Sequence, residues 1–218
     1  MKRLLILGEG HTEEAFIKSV LSPHLLSFNV AAIPKLITTK RIPDGPNFKG
    51  GVSSFGKIAN DLRLLLRDTN AACVTTMIDF YGLPTDSRPP IIAANLSCYD
   101  KVKLYEQEIA AKINHPKFLP FLLLHEFEAL LFTEPSTLAE LFPENDQTEA
   151  LQTISSKFAT PEEINDSPIT SPSKRIQSLL PNYRKRGDGV RAAQRIGLEK
   201  MRAACPHFNE WLTKLEQL

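Results

Sequence analysis

The sequence predicts a doubly wound α/β fold, with a mainly parallel four-stranded sheet and a helical C-terminal extension. Three observations predict it. Arg3–Leu7, Ala72–Ile78 and Phe118–Leu124 are nearly continuous apolar runs, as strands buried on both faces are. The stretches between the strands carry apolar residues at helical spacing, which gives the alternation expected of βαβ units. After Leu124 no convincing strand follows, and short helical patterns separated by prolines fill the rest.

The elements follow in order. The first strand, Arg3–Leu7, leads into a helix from Glu13 to Leu21 with Phe16, Ile17, Val20 and Leu21 along one stripe, ended by Pro23. A second strand spans Val30–Thr38, interrupted at Pro34. Ser53 to Asp68 reads as a helix carrying Phe55, Ile58, Leu62 and Leu65, followed by the third strand, Ala72–Ile78. Leu96 to Ile113 is the next helix, and Phe118–Leu124 is the fourth strand. Arg41–Gly51 and Tyr81–Pro90, rich in Pro, Gly and Asp, read as loops. Ser171 and Pro172 form an N-cap and first helical residue before Lys174–Leu180. Gly197 closes a helix from Asp188, Cys205-Pro206 ends the next, and the last starts near Phe208 and buries Phe208, Trp211, Leu212 and Leu215. Residues 1–134 are thus expected to form the α/β core, and residues 135–218 a helical extension packed on it.

Composition narrows the class. The 218 residues are 42% hydrophobic and 23% charged, ordinary for a domain with a real core. No apolar run approaches the roughly 20 residues that cross a bilayer, and the run Leu4–Leu7 is too short for a signal-peptide core. Three widely spaced cysteines without a CxxC pair predict neither a disulfide framework nor a zinc site, which suits a cytoplasmic chain. The net charge of +1 conceals an asymmetry. Ten acids stand against one base between His125 and Pro168, and ten bases against four acids from Ser171 to Leu218. Either a basic region serves phosphate beside acidic groups, or two solvated faces of opposite sign pair with each other.

The strongest local signal is Leu4-Leu5-Ile6-Leu7-Gly8-Glu9-Gly10-His11-Thr12-Glu13-Glu14. Flanking glycines let the chain turn sharply and leave Glu9 at the strand's C-terminal edge. Thr12 suits a helix cap, and Glu13 and Glu14 suit the first turn, where the helix dipole favours acids. Glu9 has no such explanation: a carboxylate at the mouth of a buried strand needs a partner, and a divalent cation is one. The second signal, Val74 to Pro84, again ends a buried strand on an acid, Asp79, before a Gly-containing loop. In a doubly wound sheet two such acids converge on one edge, and carboxylates with water are the oxygen set that Mg²⁺ prefers. Gly45 to Gly51 lacks the ending and setting of a Walker loop.

Glu9-Gly10-x-Thr12-Glu13 after a first strand, with an Asp motif after a later one, resembles the Toprim fold of topoisomerases, primases and overcoming-lysogenization-defect nucleases. Over nearly its whole length the chain more closely resembles a bacterial Toprim-like family, the domain-of-unknown-function 4276 family. Glu9–Glu13, Thr76–Gly82, His125–Phe132, Ser171–Arg175 and Cys205–Phe208 carry that resemblance. It implies a Toprim-like metal site in which Glu9, Glu13 and Asp79 hold Mg²⁺ or Mn²⁺. The usual second motif is Asp-x-Asp, however, and here it is Asp79-Phe80-Tyr81, so one carboxylate is absent from its expected place. Either another acid replaces it, or metal binds weakly, or catalysis is lost.

Glu126 and Glu128 in His125-Glu126-Phe127-Glu128 are the candidate replacements, since they follow the fourth strand. If that segment stays extended, one of them faces the site. If a helix begins there, Phe127, Leu130 and Leu131 pack inward and the glutamates serve its N-terminus. His125 is either a general base or phosphate contact, or a hydrogen-bonded structural residue. Lys174, Arg175, Lys185 and Arg186 suit contacts with a nucleic-acid backbone, with Tyr183 placed for base stacking. The expected function is a metal-dependent nuclease-like protein with Glu9, Asp79, His125 and Glu126 as catalytic candidates; by analogy with the family it serves phage defence beside an ATPase partner. Two alternatives stay open: a non-catalytic accessory protein that docks on nucleic acid or an ATPase, and an enzyme of small phosphate esters.

Overall fold

The computed structural model describes residues 1–37, 54–89, 95–165 and 169–218. The strands are β1 (Lys2–Gly8), β2 (Val30–Leu36), β3 (Ala71–Asp79), β4 (Phe118–Leu119) and β5 (Leu122–Leu123). The sheet order is β2-β1-β3-β4, with β5 also on β3, and every pairing is parallel. The helices are α1 (His11–Phe16), α2 (Ser22–Leu26), α3 (Phe55–Leu66), α4 (Cys98–Ile113), α5 (Pro135–Ala139), α6 (Thr148–Ser155), α7 (Pro172–Leu179), α8 (Val190–Ile196), α9 (Leu198–Ala204) and α10 (Pro206–Glu216). The loop expected at Arg41–Gly51 lies outside the described residues, as do Thr38, Ser53 and Pro90.

The continuous apolar runs have the cause inferred for them. Alternate β1 residues serve opposite faces, as strand geometry requires. Leu4 and Ile6 pack in one cluster with Phe16, Ile17, Leu21 and Leu25. Leu5 and Leu7 pack in the other with Ile58, Leu62, Val102 and Ile109 of α3 and α4. Phe208, Trp211, Leu212 and Leu215 of α10 join the first cluster. Helices cover both faces, so the sheet is doubly wound.

The structure corrects three local expectations. The fourth strand is not one run but two, β4 and β5, broken at Pro120 and Phe121 because proline has no N–H for a ladder. Thr76 repairs the break from β3. Its Oγ1 donates to the Phe121 carbonyl at 2.7 Å and accepts from the Phe121 N–H at 2.9 Å. Glu106 of α4 accepts the next amide, Leu122 N–H, at 2.8 Å. Second, Pro34 does not interrupt β2, which runs unbroken to Leu36; β2 is an edge strand, where a missing donor costs little. Third, Pro23 does not stop the first helix. A π-helical turn over Ile17–Leu21, closed by Ser22 N–H to the Ile17 carbonyl, admits the proline into the first turn of α2.

The C-terminal patterns match the structure more closely. Ser171 is the N-cap of α7 with Pro172 at its start, Gly197 follows α8, and Pro206 opens α10. Glu162 completes the α10 N-terminus from outside the helix, accepting from the His207 and Phe208 amides at 2.9 Å each. The side chains of α10 thereby seat against the sheet, where the Trp211 indole N–H donates to Thr75 at 2.9 Å.

Candidate functional site

Two strands deliver their terminal acids to one edge of the sheet. β1 ends at Gly8 and is followed by Glu9; β3 ends on Asp79; and because both strands are parallel neighbours, both ends open the same way. Asp79 Oδ1 accepts the Phe127 N–H at 3.0 Å, which ties the segment after β5 to the same edge. Glu126, Glu128 and Lys185 complete the group.

Thr12 is not the helix cap that the sequence suggests, although Glu13 and Glu14 do lie in the first turn. The N-cap is Gly10 in extended backbone, α1 begins at His11, and Glu13 turns back to accept the Gly10 N–H at 2.7 Å. Among the described residues Gly197 is the one glycine with a positive φ, so the glycines beside Glu9 are not there for a left-handed turn. Cβ atoms at Gly8 and Gly10 would crowd Glu13, at 3.1 Å from its Cβ and 3.3 Å from its Oε2. Glu14 points away and pairs with Lys18 and His11.

Glu9 is the least satisfied of the acids. Its Oε2 is buried and accepts no hydrogen bond among the described residues. Burial pushes its carboxyl from 4.5 up to about 7, Glu13 and Glu126 push it the same way, and the Asp79 amide and Lys185 oppose them. Burial and the charges of Glu13, Glu9 and Glu128 likewise drive Asp79 well above the usual carboxylate range. Burial and neighbouring carboxylates thus favour the protonated form of both Glu9 and Asp79.

Both glutamates after the fourth strand reach this space, which neither sequence reading allowed alone. A 3₁₀ helix begins at Phe127, with Glu126 as its N-cap, and Phe127, Leu130 and Leu131 do pack inward. Its tight turn also brings the two carboxylates onto one side chain: Lys185 Nζ lies 3.2 Å from Glu128 Oε2 and 4.0 Å from Glu126 Oε2. Glu126 Oε2 additionally accepts the Ser173 N–H at the start of α7, at 3.0 Å. Glu128 is 1% exposed, and burial raises its carboxyl while Lys185 lowers it. Burial alone would lower the Lys185 ammonium; Glu128, Glu126 and Asp79 outweigh it and hold the group above its ordinary value.

His125 sits at the turn into this segment with φ of 66°, a left-handed conformation uncommon for a residue with a Cβ. Its ring is buried 5.6 Å from that of Tyr81, and its carbonyl accepts the Tyr81 N–H at 3.3 Å. The aromatic residue standing where a second aspartate is expected therefore packs on the histidine.

The basic set divides. Lys174 and Arg186 are exposed; Lys185 belongs to the acidic group; Arg175 is held by the Thr170 carbonyl at 2.7 Å and lies over the Phe158 ring. Tyr183 cannot serve base stacking as placed: it is 4% exposed, and its hydroxyl donates to Glu128 at 3.4 Å. Pairs such as Lys185–Glu128 and Lys200–Glu134 join the basic tail to the acidic middle segment. One position escaped the sequence reading. A Cβ at Gly82 would lie 2.8 Å from Glu9 Oε2, so this glycine leaves the room that the carboxylate fills. Its only sequence signal was a glycine three residues after Asp79.

The set is chemically suited to a hard divalent cation: carboxylates, an orphaned buried oxygen and no soft donor. As they stand, no three His, Cys, Asp or Glu side chains among the described residues are gathered closely enough to hold an ion.

Residues 8–216 match the family described as Domain of unknown function (DUF4276). The chain belongs to that family. Two structures of the C-terminal region of the Xanthomonas campestris pv. campestris OLD protein, one phased with platinum and one with iodine, are similar to this DUF4276 chain. Each is 16% identical with a TM-score of 0.39. The first alignment covers 97% of this chain and 94% of that one; the second covers 100% and 99%. Comparison with curated proteins finds no match. No helix among the described residues of the DUF4276 chain is long and apolar enough to cross a membrane.

Proposed function

We propose that this chain is a Toprim-like, divalent-cation-dependent nuclease-like protein that acts on nucleic-acid phosphodiesters. The observation that carries the reading is Glu9: a half-buried residue with a buried, orphaned carboxylate oxygen, near other acids at the shared end of two parallel strands. Glu9, Asp79 and Glu126 or Glu128 would hold Mg²⁺ or Mn²⁺, with Glu13 close enough to raise both Glu9 and Asp79. A bound cation would supply Lewis acidity and a more acidic water. Glu126, whose carboxylate is oriented by the Ser173 amide, would be a candidate base for that water, with His125 beside it in sequence. Lys174 and Arg186 would take the backbone phosphates from the exposed side. An ATPase partner and a role in phage defence rest on the family resemblance alone.

The test is purified protein with Mn²⁺ or Mg²⁺. Calorimetry should show cation binding in the wild type and its loss in Glu9→Gln, a substitution that keeps size while removing charge. Cleavage of single- or double-stranded nucleic acid should disappear in the same variant. Cation binding absent from the wild type overturns the reading.

The second reading is a non-catalytic accessory protein that binds nucleic acid or an ATPase. What favours it is Tyr81, packed on His125 in the place of a second acid. Nucleic-acid binding that survives without added cation, with no cleavage at any cation concentration, would decide for it.

A further inference from the structure

Among the described residues Lys185 is the side chain whose cation lies among the acids of this site, and its surroundings show how it is held there. The backbone on both sides is anchored. Tyr183 is buried with its hydroxyl on Glu128, and Asp188 accepts the Arg184 N–H at 2.9 Å, closing the π-helical turn Lys185–Gly189. The Lys185 side chain, in contrast, remains 41% exposed. A flexible four-carbon stem therefore connects a fixed backbone to an ammonium that has an open route to solvent. The two carboxylates it touches, Glu126 and Glu128, are ones a divalent cation would use. The acids are not gathered into a cage while the ammonium stands between them.

We propose that Lys185 is the resident counter-ion of the acidic site and competes with the divalent cation for Glu126 and Glu128, so that cation binding requires the ammonium to swing out toward solvent. This rests on the site taking a divalent cation, as proposed above. The physical argument is one of charge. Several buried carboxylates cannot all stay ionised without a cation nearby. A monovalent ammonium tethered to the chain meets that need at no cost of association, and a divalent ion that replaces it must first overcome it. Lys185 is then not the phosphate contact that the sequence suggests but the element that sets the affinity of the site for metal.

The experiment is a Mn²⁺ titration by calorimetry of the wild type, Lys185→Met, Lys185→Arg and Arg184→Met. Lys185→Met removes the competitor and should bind Mn²⁺ about tenfold tighter or more, given the strength of charge interactions at about 4 Å near a protein surface. Lys185→Arg keeps the charge and should bind as the wild type does. Arg184→Met removes the adjacent, exposed positive charge and should change affinity little, which separates competition at the carboxylates from a general loss of positive charge. A wild type that binds Mn²⁺ while Lys185→Met binds no tighter overturns the competition and leaves the metal site standing. Binding by neither protein overturns both. A second measurement needs no variant: acylation of Lys185 by an amine-reactive reagent, followed by peptide mass spectrometry, should rise several-fold when Mn²⁺ is added. Unchanged labelling at saturating Mn²⁺ overturns the swing.

Discussion

Gly82 and Glu9 are in such close approach that a Cβ on the glycine would lie 2.8 Å from one carboxylate oxygen and 3.0 Å from the other. The loop after β3 thus packs against the acid that follows β1, and the two segments meet through a residue with no side chain.

Gly82→Ala should displace the Glu9 carboxylate. Because the displaced atoms are the end of a flexible side chain, folding should lose no more than about 1 kcal/mol. Calorimetry should show weaker Mn²⁺ binding with a nearly unchanged melting temperature. A variant that binds as the wild type does would mean Glu9 is not a ligand in its present pose.

Glu9 should mark the pH dependence of stability. Its folded value of about 7 lies above the ordinary 4.5, so between those two values the folded state holds a proton that the unfolded state has released. Stability without metal should therefore fall as pH rises from about 4.5 to 7, by about 1–3 kcal/mol for this group. Glu9→Gln should flatten that part of the profile in denaturant titrations.

Thr76→Val should be costly for an isosteric change. The hydroxyl serves both the N–H and the carbonyl of Phe121 where the ladder between β3 and its neighbour is broken, and valine leaves both buried and unpaired. The expected loss is about 2–4 kcal/mol in urea unfolding. A loss below that range would mean water reaches the break.

Charge reversal at Lys174 and Arg186 should weaken nucleic-acid binding without touching cation affinity, since both residues are exposed and outside the acidic group. Each lost phosphate contact should reduce the slope of log K against log salt by about 0.7–0.9. An unchanged slope returns them to the solvated surface.

The sequence by itself determined the sheet and the two acids at its edge. Runs such as Leu4–Leu7 and Val74–Ile78 are apolar on both alternating sets of positions, which admits a strand covered on both faces and little else. Neighbouring parallel strands point the same way, so Glu9 and Asp79 open on one edge of the sheet. What lay beyond it was whatever depends on distance between remote segments. The break at Pro120–Phe121 is bridged because Thr76, 45 residues earlier, faces it. Tyr183 read as a stacking platform because composition cannot tell a ring turned outward from one buried on Glu128. Lys185 read as a phosphate contact because its neighbours are basic; only tertiary packing brings it to Glu126 and Glu128, 59 and 57 positions away. Periodicity reports which face of an element is buried, whereas a charge's partner is decided by how separate elements dock.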